Sequence, residues 1–445
     1  MSFNEILGIV MLVGMISVIF IGFPISFTLL FLAFVFGSIG IGPDQTFNLA
    51  YLQIWGTMKD DILPAVPLFI CIGYMTEQAG LMERLFKALR HLLAPVRGSL
   101  YLAVILTATI FAMATGIVGA AVTVLGIMAG PIMIKTGYDA RLSAGAIAAG
   151  GTLGILIPPS VMLVVMGPTL GVPVNLLYSA AFGPGFLLAG LYIAYTMTRS
   201  FWNPALGPPV PKQERVGDAW LVIKEVLIGV LPLVALIGFT LGTILGGLAT
   251  PTEAASCGAF GATVLALLYR RLTRKGLANA AVATMVTSSM VLLLAVSSNV
   301  FGAVFTKLGT ASVITNTLLN MPLPDIWKLG LIMLLIFVLG WPFEWPAIVL
   351  VFLPIFLPVV EQLQLGLSKL DLLIWFGALV AVNLQTAFLS PPVAMSAYYL
   401  KNVVPQWSLS TIYRGMADYM VIQVLCLVTL LAWPQVVLWL PKLLR

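Results

Sequence analysis

Charged residues are scarce in this sequence. Only 9% of its 445 residues are charged and 60% are hydrophobic, whereas about one quarter of the residues in an average globular protein are charged. So few polar side chains cannot cover a water-soluble fold of this length. The composition therefore predicts an all-α polytopic membrane protein, because helices pair their own backbone groups inside a bilayer.

Reactive and metal-binding residues are equally sparse. His91 is the only histidine, and the three cysteines, Cys71, Cys257 and Cys426, form no CxxC pair. This argues against a transition-metal site and a disulfide framework. With no paired carboxylates or GxxxxGK[ST] loop either, an intramembrane enzyme and an ATPase are both disfavoured, and no cofactor is expected.

The net charge of +6 does not indicate nucleic-acid binding. The basic residues are scattered through short segments between apolar runs, and no long polar face carries them. Membrane orientation, with basic loops on the cytoplasmic side, explains this pattern better.

The apolar runs predict ten membrane spans when they are cut at glycine, proline and charge. A loop holding Asp44, Lys59, Asp60 and Asp61 is expected after the second span, and residues 297–299 form a polar weak point in the eighth. The predicted spans cover about residues 5–21, 24–41, 66–80, 143–167, 174–197, 219–245, 254–269, 278–305, 372–400 and 416–440.

Two further apolar runs predict re-entrant helical hairpins. The run at 99–134 is 36 residues long and is interrupted at Thr115, Gly116 and Gly119. Since basic residues flank both of its ends, a hairpin that enters and leaves on the cytoplasmic side is favoured over one crossing. The run at 329–360 is broken by GWPFEWP and lacks basic flanks, so its hairpin is expected on the outer side.

These elements predict two inverted repeats, each with five spans and one hairpin. Residues 1–198 form the first repeat, the proline-rich and charged segment 199–218 a cytoplasmic linker, and residues 219–445 the second. An odd number of spans per half inverts the second half and places both termini outside, although Lys442 and Arg445 then lie on the unfavoured side. Inverted repeats are typical of secondary transporters with a site near the membrane midplane.

The candidate site is a pair of broken helices. Residues 150–160 read GGTLGILIPPS, and residues 383–392, which begin 233 positions later, read NLQTAFLSPP. Prolines interrupt the helical hydrogen bonds, and the freed backbone groups must face protein or a hydrated cavity. The alternative is a pair of proline kinks that only shape packing.

The polar residues of these stretches suit a hard cation such as sodium, because they offer neutral oxygens, and nearby helix N-termini favour a carboxylate. The residues that carry these oxygens are Thr152, Ser160, Asn383, Gln385, Thr386 and Ser390.

Two acidic residues admit two readings each. Glu344, in the second hairpin tip, lies either in a polar pocket or in a tip exposed to water or an ion pair. Glu253 follows PT at a helix start, where it caps the helix together with Thr252 or serves as a ligand.

Four motifs resemble those of a known family. PLFICIGYM at 67–75, GGTLGILIPPS, TPTEAA at 250–255 and NLQTAFLSPPVA at 383–394 together are similar to the large membrane subunit of tripartite ATP-independent periplasmic (TRAP) transporters, over essentially the whole chain. The resemblance implies an elevator-type, sodium-driven importer of an organic acid in a bacterial inner membrane. A small four-helix membrane subunit and a periplasmic binding protein are the implied partners, with the lipid bilayer around them.

The resemblance also implies the site. Sodium is expected at the hairpin tips and breaks, and the carboxylate substrate beside it; the chain departs from the family in its TGIVG first tip and in having glutamate, Glu344, where aspartate is common. The sodium residues are Thr115, Gly116, Gly119, Thr152, Gly154, Glu344, Gln385 and Thr386, and the substrate residues are Pro158, Pro159, Ser160, Asn383, Ser390, Pro391 and Pro392. A stand-alone sodium- or proton-coupled anion carrier is the alternative.

Overall fold

A computed structural model describes residues 1–116, 118–209, 219–391 and 394–445, with only the backbone given for positions 112, 114, 115, 219 and 221. The described residues of the first half of the chain form ten helices. They are α1 (Phe3–Ile21), α2 (Ile25–Gly40), α3 (Pro43–Met58), α4 (Ala65–Gln78), α5 (Leu81–Leu93), α6 (Ser99–Thr115), α7 (Val118–Lys135), α8 (Ala140–Thr152), α9 (Val161–Leu170) and α10 (Val174–Trp202).

The second half of the described chain adds eleven helices, with a π-helical segment, Ile348–Phe352, between two of them. They are α11 (Ala219–Leu245), α12 (Pro251–Leu268), α13 (Arg274–Lys307), α14 (Thr310–Leu319), α15 (Asp325–Leu339), α16 (Trp345–Ala347), α17 (Leu353–Val360), α18 (Lys369–Asn383), α19 (Met395–Val403), α20 (Leu409–Ala432) and α21 (Gln435–Leu443).

The protein is an all-helical, multi-span membrane protein, as the composition predicts. Eight helices in the described ranges are long and apolar enough to cross a bilayer, and the pair α4 and α5, bent by 59°, brings the number to nine if it counts as one span. Helix α5 is amphipathic, with Leu81 and Leu85 buried and Lys87 exposed. The basic segment that follows the third predicted span is therefore an amphipathic surface helix.

The predicted loop after the second span is wrong, because residues 43–58 form helix α3. Pro43 occupies the first helical turn and Asp44 lies beside it, which are favourable residues for a helix N-terminus. Phe47, Tyr51 and Trp55 follow at four-residue spacing and are exposed. This aromatic stripe is typical of a helix at the membrane interface, and only residues 59–64 remain as a turn.

The polar weak point at 297–299 does not interrupt α13, which is continuous from Arg274 to Lys307. The Ser297 hydroxyl donates to the carbonyl of Leu293 at 2.7 Å, and the Asn299 amide donates to Thr57 Oγ1 at 2.8 Å. Ser297 and Asn299 are thus bonded without a break in the helix, whereas Ser298 Oγ is buried with no hydrogen-bond partner among the described residues.

Helix α12 begins with a capping box that differs from the prediction in one residue. Thr250, not Thr252, is the N-cap, and Glu253 Oε2 accepts a hydrogen bond from the Thr250 backbone N–H at 2.8 Å. Pro251 fills the first helical position, which fixes the cap one residue before it. The capping role of Glu253 is confirmed, whereas the Thr252 hydroxyl bonds to the carbonyl of Asp61.

Both predicted hairpins return to the end at which they begin. At the base of the first, the Tyr138 hydroxyl lies 3.4 Å from Ser99 Oγ, so the start of α6 meets the chain just after α7. At the base of the second, the Gln364 backbone N–H donates to Asp325 Oδ2 at 2.7 Å, which joins the start of α15 to the chain after α17.

The segment predicted as a linker starts within α10, which ends at Trp202. The backbone of 206–207 then binds the base of the first hairpin, where the Gly98 and Asp139 N–H groups donate to the carbonyls of Gly207 and Leu206. The rest of the predicted linker, 210–218, lies outside the described residues.

One of the two C-terminal basic residues has an acidic partner. Arg445 forms an ion pair with Asp371, at the start of α18, at 2.8 Å. This carboxylate compensates a basic residue that the orientation rule places on the unfavoured side.

Helices α8 and α20 approach very closely through glycine. A methyl group at Gly415 would lie 2.1 Å from the carbonyl oxygen of Arg141, and one at Gly145 would lie 2.5 Å from the ring of Tyr419. Small residues are the usual means by which membrane helices pack backbone against backbone.

This contact predicts that Gly415→Ala destabilises the protein. The new methyl group must push two backbones apart, which costs about 1–3 kcal/mol or more. We expect a lower melting temperature of the purified protein in detergent. Gly190→Ala is the matched control, because nothing lies within 4 Å of a methyl group there; equal melting temperatures for the two variants would contradict the packing described.

Candidate functional site

The first break lies between α8 and α9. Helix α8 ends at Thr152, a short 3-10 turn covers Leu153–Ile155, and α9 begins at Val161. Every residue from 150 to 160 is buried, so the non-helical backbone is enclosed by protein. This is the arrangement that hydrocarbon surroundings require.

The two polar side chains of the first break donate to the break itself. The Thr152 hydroxyl donates to the carbonyl of Ala149 at 2.8 Å, and the Ser160 hydroxyl donates to the carbonyl of Ile155 at 2.5 Å. Both hydroxyl protons are therefore used internally, while the oxygens keep lone pairs.

The tip of the first hairpin touches this break. Gly116 has φ +59° and joins α6 to α7. A methyl group on it would lie 3.6 Å from the backbone N of Val161 and 3.7 Å from the carbonyl oxygen of Gly154. Tip and break thus place backbone N–H and C=O groups side by side.

The second break lies after α18, which ends at Asn383, and a 3-10 turn follows at Thr386–Phe388. The Asn383 amide nitrogen donates to the carbonyl of Met333 on α15 at 2.7 Å, and the Thr386 hydroxyl donates to the carbonyl of Asn383 at 2.7 Å. The break is thereby fastened to the first arm of its own hairpin.

Four side-chain atoms of the second break are buried without a hydrogen-bond partner among the described residues. They are both amide atoms of Gln385, Oδ1 of Asn383 and Oγ of Ser390. An unpaired buried polar group costs about 1–3 kcal/mol, and native proteins leave few such groups without a reason. A bound ligand is one such reason.

The second hairpin tip meets the second break. A methyl group on Gly340 would lie 3.2 Å from Cβ of Ala387. Glu344, in the same tip, is half-buried, and its side chain has no hydrogen bond or ion pair within the described part of the chain. The second sequence-based reading allowed an ion-paired tip, and the described residues of the structure do not form that ion pair.

The helix that follows each break packs against the other half of the chain. Helix α19, which follows the second break, packs against α7 and α8, and α9, which follows the first break, packs against α17 and α18. A methyl group on Gly119 would lie 3.0 Å from the ring of Tyr399 on α19. The first hairpin thus contacts the helix that follows the second break.

This geometry accompanies a clear match of sequence. Residues 12–436 match the family described as "Tripartite ATP-independent periplasmic transporter, DctM component". The chain belongs to the DctM family. This family comprises transporter permeases, so the predicted family and the prediction that the chain is not an enzyme are confirmed.

Several relatives of this DctM protein are named for the solute that they transport. It is 29% identical over 443 residues to the sialic acid TRAP transporter large permease protein of Vibrio cholerae, which covers 97% of each chain. It is 28% identical over 404 residues to the C4-dicarboxylate large permease of Pseudomonas aeruginosa, covering 90% of each. A 30% identity over 350 residues relates it to the isethionate permease protein DctMQ of Oleidesulfovibrio alaskensis, covering 76% of this chain and 52% of that protein.

A solved structure has the same fold. The crystal structure of the Alcanivorax borkumensis YdaH transporter aligns with a TM-score of 0.63 and 15% sequence identity, covering 97% of this chain and 99% of that one. The DctM chain therefore has a YdaH-like transporter fold.

The structure gathers most of the predicted site residues into two break-and-tip groups. The side chain of Thr115 and all of Pro392 lie outside the described residues. The first group holds Gly116, Gly119, Thr152, Gly154, Pro158, Pro159 and Ser160, and the second holds Glu344, Asn383, Gln385, Thr386, Ser390 and Pro391. Within the described residues, no cluster of three His, Cys, Asp or Glu side chains is present that could hold a metal ion.

Tyr399 is the residue that sequence reasoning missed. It lies on the short helix after the LSPPVA motif, and no spacing rule connects it to Gly119, which is 280 positions earlier. The only sequence signal was its place one turn into the helix that follows a break.

Replacing Pro158 by alanine should impair transport, because alanine supplies the N–H that proline lacks and lets the helix extend into the break. Pro232→Ala, in the middle of α11, is the matched control and should leave uptake unchanged. Uptake rates of the two variants, normalised to protein in the membrane, test this; equal rates would reduce the break to a packing kink.

Proposed function

We propose that this DctM protein is the membrane permease of a sodium-coupled importer of an organic acid in the bacterial inner membrane. A periplasmic binding protein delivers the solute, and a small four-helix membrane subunit accompanies the permease. The family supplies the transporter class, and the relatives with named solutes carry sialic acid, C4-dicarboxylates or isethionate. All of these solutes are anions at neutral pH.

The observation that carries this proposal is the equivalence of the two tip contacts. Gly116 meets Gly154, and Gly340 meets Ala387. Gly154 and Ala387 are the same position of the two aligned breaks, 233 residues apart. A repeated contact of this kind supports two inverted repeats around one midplane site.

The order of elements supports the same repeats. Each half contains a short helix that is preceded by a glycine with left-handed φ, Gly80 before α5 and Gly309 before α14. A hairpin, a broken helix and a long helix then follow, ending in α10 and α20. Residues 1–198 and 219–445 are the proposed repeats.

The proposed mechanism is an elevator. The two hairpins and two broken helices form the moving body, because they pack on one another across the halves. Sodium and the solute anion bind the polar groups of the breaks, and the hairpin tips then close over both ligands. The filled body, free of unpaired polar groups, then crosses to the cytoplasmic side.

The decisive experiment is uptake by proteoliposomes that contain the permease with its small subunit. We expect transport only with a sodium gradient and the solute-loaded binding protein. Uptake of free solute by the permease alone would favour a stand-alone carrier, and uptake driven equally well by a proton gradient would overturn the sodium coupling.

Thr152→Ala and Thr386→Ala should each raise the sodium concentration for half-maximal uptake. Each variant loses one oxygen from a break, and a loss of about 1.4 kcal/mol in ion binding is roughly tenfold. Thr429→Ala is the control, because Thr429 makes the same kind of bond to its own helix but lies on α20, outside both breaks. A normal sodium response in either break variant would remove that residue from the ion site.

A further inference from the structure

The two breaks are alike in backbone but differ in the hydrogen-bonding capacity of their side chains. In the first, Thr152 and Ser160 have both spent their hydroxyl protons on backbone carbonyls. In the second, Gln385 and Ser390 have spent none. The halves of the site therefore offer different chemistry to a ligand.

A cation and a carboxylate need opposite partners. Sodium, like other hard cations, binds oxygen lone pairs, whereas a carboxylate only accepts hydrogen bonds and needs N–H or O–H donors. Neither 150–160 nor 383–391 contains Lys, Arg or His. The side-chain donors for an anion in the breaks must therefore be neutral amides and hydroxyls.

Few side chains of the breaks have a donor to offer. Asn383 uses one of its two amide N–H groups on Met333 and leaves Oδ1 unpaired, and Thr386 donates to Asn383. Gln385 is fully buried with both amide atoms unpaired, so the assignment of its nitrogen and oxygen does not affect the argument. Among the described side chains of the two breaks, Gln385 and Ser390 are the ones whose donors are all unpaired.

We propose that the carboxylate of the solute is bound by the second break, through the Gln385 amide N–H and the Ser390 hydroxyl. The side-chain oxygens of Thr152, Ser160, Asn383 and Thr386 serve the cation as acceptors. This assignment rests on the proposed sodium-coupled uptake of an organic acid. It differs from the sequence prediction, which grouped Ser160 and Asn383 with the substrate and Gln385 with sodium.

Gln385 then links the two ligands. Its amide presents a donor for the carboxylate and an acceptor for the cation on one rigid planar group. Occupation of either side orients the other, and this makes the binding of solute and sodium mutually favourable.

Gln385→Glu tests the anion half, because glutamate keeps the size and the oxygen but loses both N–H donors and adds a negative charge. We expect the KM for the solute, measured at saturating sodium, to rise roughly tenfold or more, the effect of losing a hydrogen bond to a charged group. Sodium half-saturation, measured at saturating solute, should stay the same or fall. Gln362→Glu, on an exposed glutamine after α17, is the matched control and should change neither.

Two smaller substitutions complete the test without risk from a buried charge. Ser390→Ala should raise the solute KM at saturating sodium and leave sodium half-saturation unchanged, whereas Ser160→Ala should do the reverse. Solute KM unchanged in Ser390→Ala, or raised more in Ser160→Ala than in Ser390→Ala, would overturn the assignment. Sodium-independent uptake by the wild type would instead refute the proposed coupling, and the solute KM of Ser390→Ala would still decide the anion half.

Discussion

Hydrocarbon cannot satisfy a backbone group, and this constraint shapes the whole molecule. A helix that stops within the membrane, as α8 does at Thr152 and α18 at Asn383, leaves carbonyls and N–H groups that only protein or a ligand can serve. In this protein a hairpin tip lies against each break, Gly116 against Gly154 and Gly340 against Ala387. The breaks are thereby enclosed by protein rather than exposed to lipid.

The side chains at these contacts determine how closely tip and break approach each other. They also determine how the two breaks differ in hydrogen bonding. Glycine allows the tips to approach the breaks closely, and at Gly116 it also supplies the left-handed φ of the turn. The first break then satisfies its own hydroxyl groups, whereas the second leaves Gln385 and Ser390 unpaired. Among the described side chains of the two breaks, the buried polar atoms without a partner all belong to the second break.

Local signals in the sequence predict local structure well. Adjacent prolines at 158–159 indicate the first break, and an apolar run too long for one crossing indicates the first hairpin. Charges mislead in 43–58, because Asp44 favours a helix start as much as a loop, and the stripe of Phe47, Tyr51 and Trp55 is the better guide. Contacts between distant segments, such as Gly119 with Tyr399, depend on how the halves interlock. Thr152 has a hydrogen-bond partner and Gln385 has none among the described residues. This difference depends on neighbours in the fold that one sequence does not reveal.

The central claim is that one enclosed site holds sodium and the organic anion together. Equilibrium binding of both ligands to the purified permease tests it most directly, with the solute dissociation constant measured over a series of sodium concentrations and the sodium constant over a series of solute concentrations. Because coupling is reciprocal, the account predicts that each ligand strengthens the other by the same factor. Solute affinity that is independent of sodium would contradict it.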